Sequence, residues 1–223
     1  MTAASRPGAD VVGIVLAAGA GRRMGRPKAL VRGDDGVPWL RRAVTVLKEA
    51  GAWPVLVTLG AGADEASALL PAGAQEVRVP DWAEGIGASL RAGLAAAGST
   101  DAVAALITLV DLPALRVDAV RRVLGAAPEP GESSGPGASA WPAASVGPGD
   151  GLGPADRLGS AVLRQAVYAG RPGHPVLIGR DHWADLRAQL DGDVGARPYL
   201  RSHGVVEVDC TDLGGGDDVD TPA

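Results

Sequence analysis

The residues best suited to chemistry lie in a glycine-rich loop at 16–28. Its glycines, Gly19, Gly21 and Gly25, let backbone amides converge on a phosphate because no Cβ stands in the way. Positive charge is concentrated in the same loop, although the chain as a whole has a net charge of −5. The cations of the loop are Arg22, Arg23, Arg26 and Lys28. Glycines and cations combined in this way are typical of a triphosphate site.

Three kinds of phosphate loop compete for this segment. A dinucleotide-binding turn reads G-x-G-x-x-G and continues as a helix, but here the last gap is one residue too long and Pro27 interrupts the helix. A Walker loop requires Gly-Lys-Ser/Thr, whereas two residues separate Gly25 from Lys28 and no Ser or Thr follows. The third pattern, L-A-A-G-x-G-x-R-M-G-x-x-K, matches at every fixed position. It resembles the signature loop of sugar and cofactor nucleotidyltransferases.

Apolar runs that alternate with helix-like segments must position this loop. The runs at 11–17, 53–59 and 103–110 are continuous, as in strands buried on both faces of a parallel sheet. The alternation predicts an α/β fold, with a single three-layer α/β/α domain over residues 1–223 and a mostly parallel, Rossmann-like sheet. The expected strands are 11–17, 53–59, 75–79, 103–110, 162–168 and 205–210, and the expected helices are 38–50, 64–70, 88–97, 117–124 and 181–190.

Composition excludes several classes of protein and marks one irregular stretch. Residues 126–160 contain eight Gly and six Pro, and we expect a disordered surface insertion there, with a lid over the site as the alternative. The chain contains no run of 18 apolar residues and is net acidic, so we expect neither a membrane span nor a nucleic-acid partner. One cysteine, Cys210, and no readable secretory signal predict a cytoplasmic protein.

Five later segments extend the resemblance along the chain in order. With the loop they resemble the MobA-like nucleotidyltransferases, and within that family the molybdenum cofactor cytidylyltransferases. The resemblance implies the fold of the nucleotide-diphospho-sugar transferases. The segments are 84–93 (similar to G-M-x-x-S-L-R-x-G), 109–113 (L-G-D-x-P), 173–178 (G-H-P-V-L-F), 192–197 (G-D-x-G-A-R) and 218–222 (D-I-D-T-P). The third and fourth of these point to the cytidylyl branch.

The resemblance also implies a reaction and the residues that perform it. A phosphate of an acceptor such as molybdopterin attacks the α-phosphorus of an NTP, CTP being favoured, and pyrophosphate leaves. Arg23, Lys28 and Asp111 are the implied catalytic residues, and Asp111 with Asp220 would hold Mg²⁺. The implied nucleotide-binding residues are Leu16, Ala17, Ala18, Gly19, Gly21, Arg22, Gly25 and Ser89, and the implied acceptor-binding residues are His174, Asp193 and Arg197. No general base is expected, because the attacking phosphate is already ionised.

Two other functions remain open. Some chains that closely resemble this family are NAD(P)H-dependent reductases of the nicotine-blue type, and the glycine-rich loop suits a dinucleotide pyrophosphate equally well. The other alternative is a non-catalytic nucleotide-binding maturation factor with a molybdenum enzyme as its partner. It is motivated by Val110, which replaces the glycine that usually precedes the metal aspartate and would crowd a nucleotide. A second departure, Ile178, replaces an aromatic residue close to the expected acceptor site.

Overall fold

The computed structural model describes residues 10–125 and 158–220. The expected insertion at 126–160 therefore lies outside the described residues, except for its last three. The strands are β1 (Val11–Leu16), β2 (Val55–Leu59), β3 (Ala74–Arg78), β4 (Ala104–Leu109), β5 (Leu163–Tyr168), β6 (Arg171–Gly179) and β7 (Val206–Asp209). The α-helices are α1 (Trp39–Glu49), α2 (Ala63–Ser67), α3 (Ile86–Ala97), α4 (Val117–Leu124), α5 (Trp183–Gln189) and α6 (Arg197–Ser202).

The strands form one sheet in the order β3-β2-β1-β4-β6-β5-β7. Every neighbouring pair is parallel except the two that include β6, which runs antiparallel to β4 and β5. Leu16 at the end of β1 is in register with Thr58 of β2 and Leu109 of β4. The segments that follow these three strands therefore leave the sheet at one edge, where open α/β sheets bind ligands.

Helices cover both faces of the sheet, and alternate side chains of β1 show how. Val11 and Val15 pack into the apolar cluster beneath α1, α2 and α4, whereas Val12 and Ile14 pack into the cluster beneath α3, α5 and α6. This alternation follows from the two-residue repeat of a strand buried on both sides. The predicted α/β/α layering and the mostly parallel sheet are thereby confirmed.

Two elements were not predicted. β6 contains Pro172, Gly173 and Pro175, residue types that strands disfavour, so its sequence does not read as a strand. α6 is a six-residue helix that begins at Arg197 with Pro198 in its first turn, a position where the missing N–H of proline costs nothing. Among residues 10–125 and 158–220, no helix has the length and apolar character needed to cross a membrane.

Candidate functional site

The glycine-rich loop leaves β1 and turns sharply at two glycines with left-handed backbone. Gly21 (φ 58°) and Gly25 (φ 72°) flank a short 3-10 helix, Arg22–Met24. A Cβ on Gly21 would collide with the carbonyl oxygen of Arg26, so this position requires glycine for space as well as for conformation. The turn directs the side chains of Arg23 and Lys28 towards the end of β4 and the C-terminal segment.

A network of ion pairs joins the loop to the two predicted metal carboxylates. Lys28 Nζ lies 2.6 Å from Asp111 Oδ2 and 2.6 Å from Asp220 Oδ1, and Arg23 Nη1 lies 2.6 Å from Asp220 Oδ2. The Lys28 and Asp111 side chains are only 16% and 13% exposed, whereas Asp220 is 42% exposed. The structure therefore brings together four residues for which the sequence predicted catalytic or metal-binding roles.

The pKa shifts in this network favour the charged forms. Burial lowers the pKa of Lys28, but its hydrogen bonds to Asp111 and Asp220 and their negative charges outweigh burial and raise it. The hydrogen bond and charge of Lys28, with a smaller contribution from Arg23, lower the pKa of Asp220. Lys28 and Asp220 therefore keep their charges at neutral pH.

A third carboxylate, Asp218, joins Asp111 and Asp220. One oxygen of each of the three lies within 4.8 Å of an oxygen of the other two. The Val219 N–H donates to the Asp111 carbonyl oxygen (3.0 Å), which ties the C-terminal segment to the end of β4. Such a set of carboxylate oxygens suits a hard divalent cation. Asp218 was not among the predicted metal ligands, although its D-x-D spacing with Asp220 was a usable signal.

The loop lines a cleft of about 700 Å³ together with Asp111 and Asp220. Every predicted nucleotide-binding residue lines the cleft except Gly25, which contributes its left-handed backbone to the turn of the loop. Ser89, on α3, is 5% exposed and borders the cleft together with Trp82. Val110 also borders the cleft, but it is 5% exposed and packs into the apolar cluster beneath α1, α2 and α4.

A smaller pocket of about 290 Å³ adjoins the cleft, and Leu16, Ile86 and Leu109 line both. Of the predicted acceptor residues, His174 and Arg197 line this pocket, whereas Asp193 borders the cleft instead. The remaining lining is mostly aliphatic and includes Leu90, Ile107, Val176, Ile178 and Leu200. The departure at Ile178 thus falls at the pocket that holds two of the predicted acceptor residues.

His174 is a neutral imidazole at physiological pH. Burial lowers its pKa to about 4, and the positive charge of Arg197 acts in the same direction against a weaker, opposite influence of Asp218. The His174 carbonyl accepts a hydrogen bond from the Tyr168 hydroxyl (3.0 Å), which holds the backbone of β6 in place. A neutral imidazole has one N–H donor and one acceptor nitrogen, which suits a contact with an uncharged ligand group.

Known proteins are similar to this chain in sequence and fold. The family model of the MobA-like NTP transferase domain matches residues 13–208. The nicotine blue oxidoreductase of Paenarthrobacter nicotinovorans is 34% identical over 215 residues, which cover 95% of this chain and 92% of that protein. The molybdenum cofactor guanylyltransferase of Rhodobacter capsulatus is 37% identical over 125 residues, which cover 56% of this chain and 63% of that protein.

A similar solved structure is that of Rv0371c from Mycobacterium tuberculosis H37Rv. It is 27% identical and has a TM-score of 0.67, with 95% of this chain and 93% of that chain covered. A complex of Rv0371c with manganese has a TM-score of 0.63 at 26% identity, over 90% of this chain and 88% of that chain.

Proposed function

The chain belongs to the MobA-like NTP transferase family, and we propose that it transfers a nucleoside monophosphate from an NTP to a phosphorylated small molecule. The observation that carries this proposal is the pairing of Arg23 and Lys28 with Asp111 and Asp220 across the glycine-rich loop. We further propose CTP as the nucleotide and a cofactor such as molybdopterin as the acceptor. Support for these finer assignments comes from the segments at 173–178 and 192–197.

In the proposed reaction, an acceptor phosphate oxygen forms a bond to the α-phosphorus while the bond from that phosphorus to the bridging oxygen of pyrophosphate breaks. The loop amides, Arg23 and Lys28 would offset the charge of the triphosphate and of the leaving pyrophosphate. Asp111 and Asp220, with Asp218 beside them, would hold Mg²⁺. When bound, Mg²⁺ supplies positive charge at the reacting phosphates.

The relative positions of the two cavities support the proposed transfer. The acceptor would occupy the 290 Å³ pocket, and the NTP would occupy the cleft, with Leu16, Ile86 and Leu109 between them. Holding both reactants at one junction is the main contribution that a protein makes to such a transfer. His174 would bind the acceptor rather than remove a proton, because an ionised phosphate is already a nucleophile.

Pyrophosphate release, measured with each NTP in the presence of Mg²⁺ and molybdopterin, tests the proposal. Asp111→Asn should reduce the rate at least a hundredfold, because it removes a charged metal ligand and leaves Lys28 with one carboxylate partner. Asp101→Asn is the matched control, since Asp101 is exposed and precedes the opposite end of β4. Release that requires no divalent cation, or an unchanged rate in Asp111→Asn, would contradict the proposal.

A second candidate function is NAD(P)H-dependent reduction of a nicotine-blue-type dye. It is favoured by the oxidoreductase that matches 95% of this chain. NAD(P)H would lie along the same loop, but hydride transfer involves no reacting phosphate, so the three carboxylates would have no catalytic role in it. Oxidation of NADPH in the presence of nicotine blue, at an equal rate in Asp111→Asn, would favour the reductase over the transferase.

A further inference from the structure

The lining of the 290 Å³ pocket includes a buried carboxamide, that of Gln165, beside aliphatic side chains. Gln165 lies on β5 on the face that packs beneath α3, α5 and α6, and it is in register with Val176 of β6. Its other neighbours on this face, Leu163 and Ile178, are apolar and belong to the core cluster. Gln165 is only 7% exposed, and it lines the pocket. A polar group in such a position is disfavoured unless its hydrogen bonds are satisfied.

The hydrogen bonds of Gln165 are only partly accounted for. Its Nε2 donates to the carbonyl oxygen of Gly173 (3.2 Å), and because that oxygen can only accept, the orientation of the amide is determined. A carboxamide has two N–H donors and an acceptor oxygen. Within the part of the chain that the structure describes, no second partner of this amide is seen. One N–H and Oε1 therefore remain for a ligand in the pocket.

We propose that Gln165 selects the acceptor by binding the lactam edge, an N–H beside a C=O, of a planar heterocyclic ring. In this arrangement the N–H trans to Oε1 is assigned to the Gly173 carbonyl, so that the cis N–H and Oε1 would form two hydrogen bonds with the lactam edge. The aliphatic side chains of Leu90, Ile107 and Ile178 would contact the ring. This inference depends on the proposed function in one respect, namely that the ring is identified as the acceptor of the transfer.

The rest of the pocket fits a ring that carries an anionic arm. Arg197 and Asp218 are its charged lining residues, and both lie on segments that reach the border with the cleft. An anionic group on the ring would contact Arg197 or extend past Leu16 and Ile86 into the cleft. A sugar or polyol phosphate would instead place its hydroxyl groups against aliphatic walls, where they find few partners. The pocket therefore favours a fused heterocycle over a polyol.

Two bicyclic probes of nearly equal size test the role of the amide. Isoquinolin-1(2H)-one has a lactam edge, whereas isoquinoline has the same ring system without it. Their dissociation constants are measured by ligand-observed NMR on the full chain without nucleotide or metal. We expect the lactam to bind wild type at least tenfold more tightly, because a bidentate hydrogen-bonded pair discriminates by about that factor or more.

Gln165→Leu should reduce this preference to less than threefold while isoquinoline binding changes little. Gln75→Leu is the matched control, since Gln75 is exposed on the edge strand β3, and it should keep the full preference. Equal binding of the two probes to wild type would overturn the proposal without any variant, and so would a preference that survives in a folded Gln165→Leu or Gln165→Met.

The outcome is separable from that of the proposed function. If pyrophosphate is never released but the lactam preference is present and depends on Gln165, the transferase assignment fails and the ligand class of the pocket stands. If pyrophosphate is released but the preference is absent, only the role of Gln165 is overturned.

Discussion

Replacing Lys28 by methionine should destabilise the unliganded protein and at the same time improve its binding of a divalent cation. The Lys28 ammonium lies between Asp111 and Asp220, 2.6 Å from an oxygen of each. Methionine keeps most of the length of the side chain but removes the charge and all three donors. The two carboxylates, with Asp218 nearby, are then left with an excess of negative charge, and among the described residues the Arg23–Asp220 ion pair is what offsets it.

The size of the effect follows from burial. The Lys28–Asp111 pair is largely buried, and a hydrogen bond between charged groups contributes about 2 kcal/mol to the free energy of unfolding. The pair with Asp220 is more exposed and adds little, because water and salt screen it. For a chain of this size, a loss of about 2 kcal/mol lowers the melting temperature by about 4–8 °C.

Thermal melts with and without Mn²⁺ measure both consequences. Lys28→Met should melt about 4–8 °C below wild type in EDTA, and Mn²⁺ should raise its melting temperature more than that of wild type, because the competing ammonium is gone. Lys48→Met is the control, since the Lys48 ammonium donates to the Ala72 carbonyl and lies over the Trp53 ring rather than pairing with the site carboxylates. An unchanged melting temperature, or equal Mn²⁺ shifts in Lys28→Met and wild type, would refute this reasoning.

Three further predictions concern the loop, the pocket and the carboxylates. Gly21→Ala should weaken NTP binding, measured by calorimetry, at least tenfold, because the new Cβ would collide with the Arg26 carbonyl oxygen. The control is Gly36→Ala, which should bind NTP normally, since Gly36 has a similar φ of 75° but open space around its Cβ position. The folded-state pKa of His174 is about 4, below its ordinary 6.5, so the unfolded chain takes up the proton first and stability falls as pH drops between these values. Urea unfolding should show that the free energy of unfolding falls less between pH 7 and pH 4.5 in His174→Gln than in wild type. An equal fall in both would contradict the lowered pKa of His174. The folded-state pKa of Asp220 lies below its ordinary 3.8, so its ionised carboxylate stabilises the folded chain above pH 3.8, and this stabilisation is lost as pH falls through the folded-state pKa. Thermal melts should therefore show that Asp220→Asn is less stable than wild type at pH 7 and that the difference disappears in strong acid.

The proximity of the glycine-rich loop and Asp111 could be predicted from the sequence, because both follow continuous apolar runs that are typical of parallel strands. Their glycines and charges then identify the edge of the sheet as a phosphate site. The contact with Asp220 was reached only through the family resemblance, since 192 positions along the chain separate it from Lys28. No local periodicity predicts so distant a contact.

The pocket was harder to predict, because its walls come from elements with misleading local sequence. β6 has prolines and glycine where strands usually have β-branched residues, so its antiparallel pairing with β4 and β5 depends on tertiary contacts that composition does not reveal. Gln165 directly follows Arg164 in β5, and a polar residue there reads equally well as a solvent-facing position. Only the register with Val176 shows that it faces the pocket side of the sheet.

The central claim is that the cleft binds a nucleoside triphosphate with a divalent cation. The most direct test is a panel of melting temperatures with each NTP and with NADPH, with and without Mg²⁺, for wild type and Asp111→Asn. A ligand that binds the folded state raises the melting temperature by mass action. We predict that CTP gives the largest shift, that this shift requires Mg²⁺, and that Asp111→Asn abolishes it. A larger shift with NADPH that is independent of metal and persists in Asp111→Asn would contradict the claim.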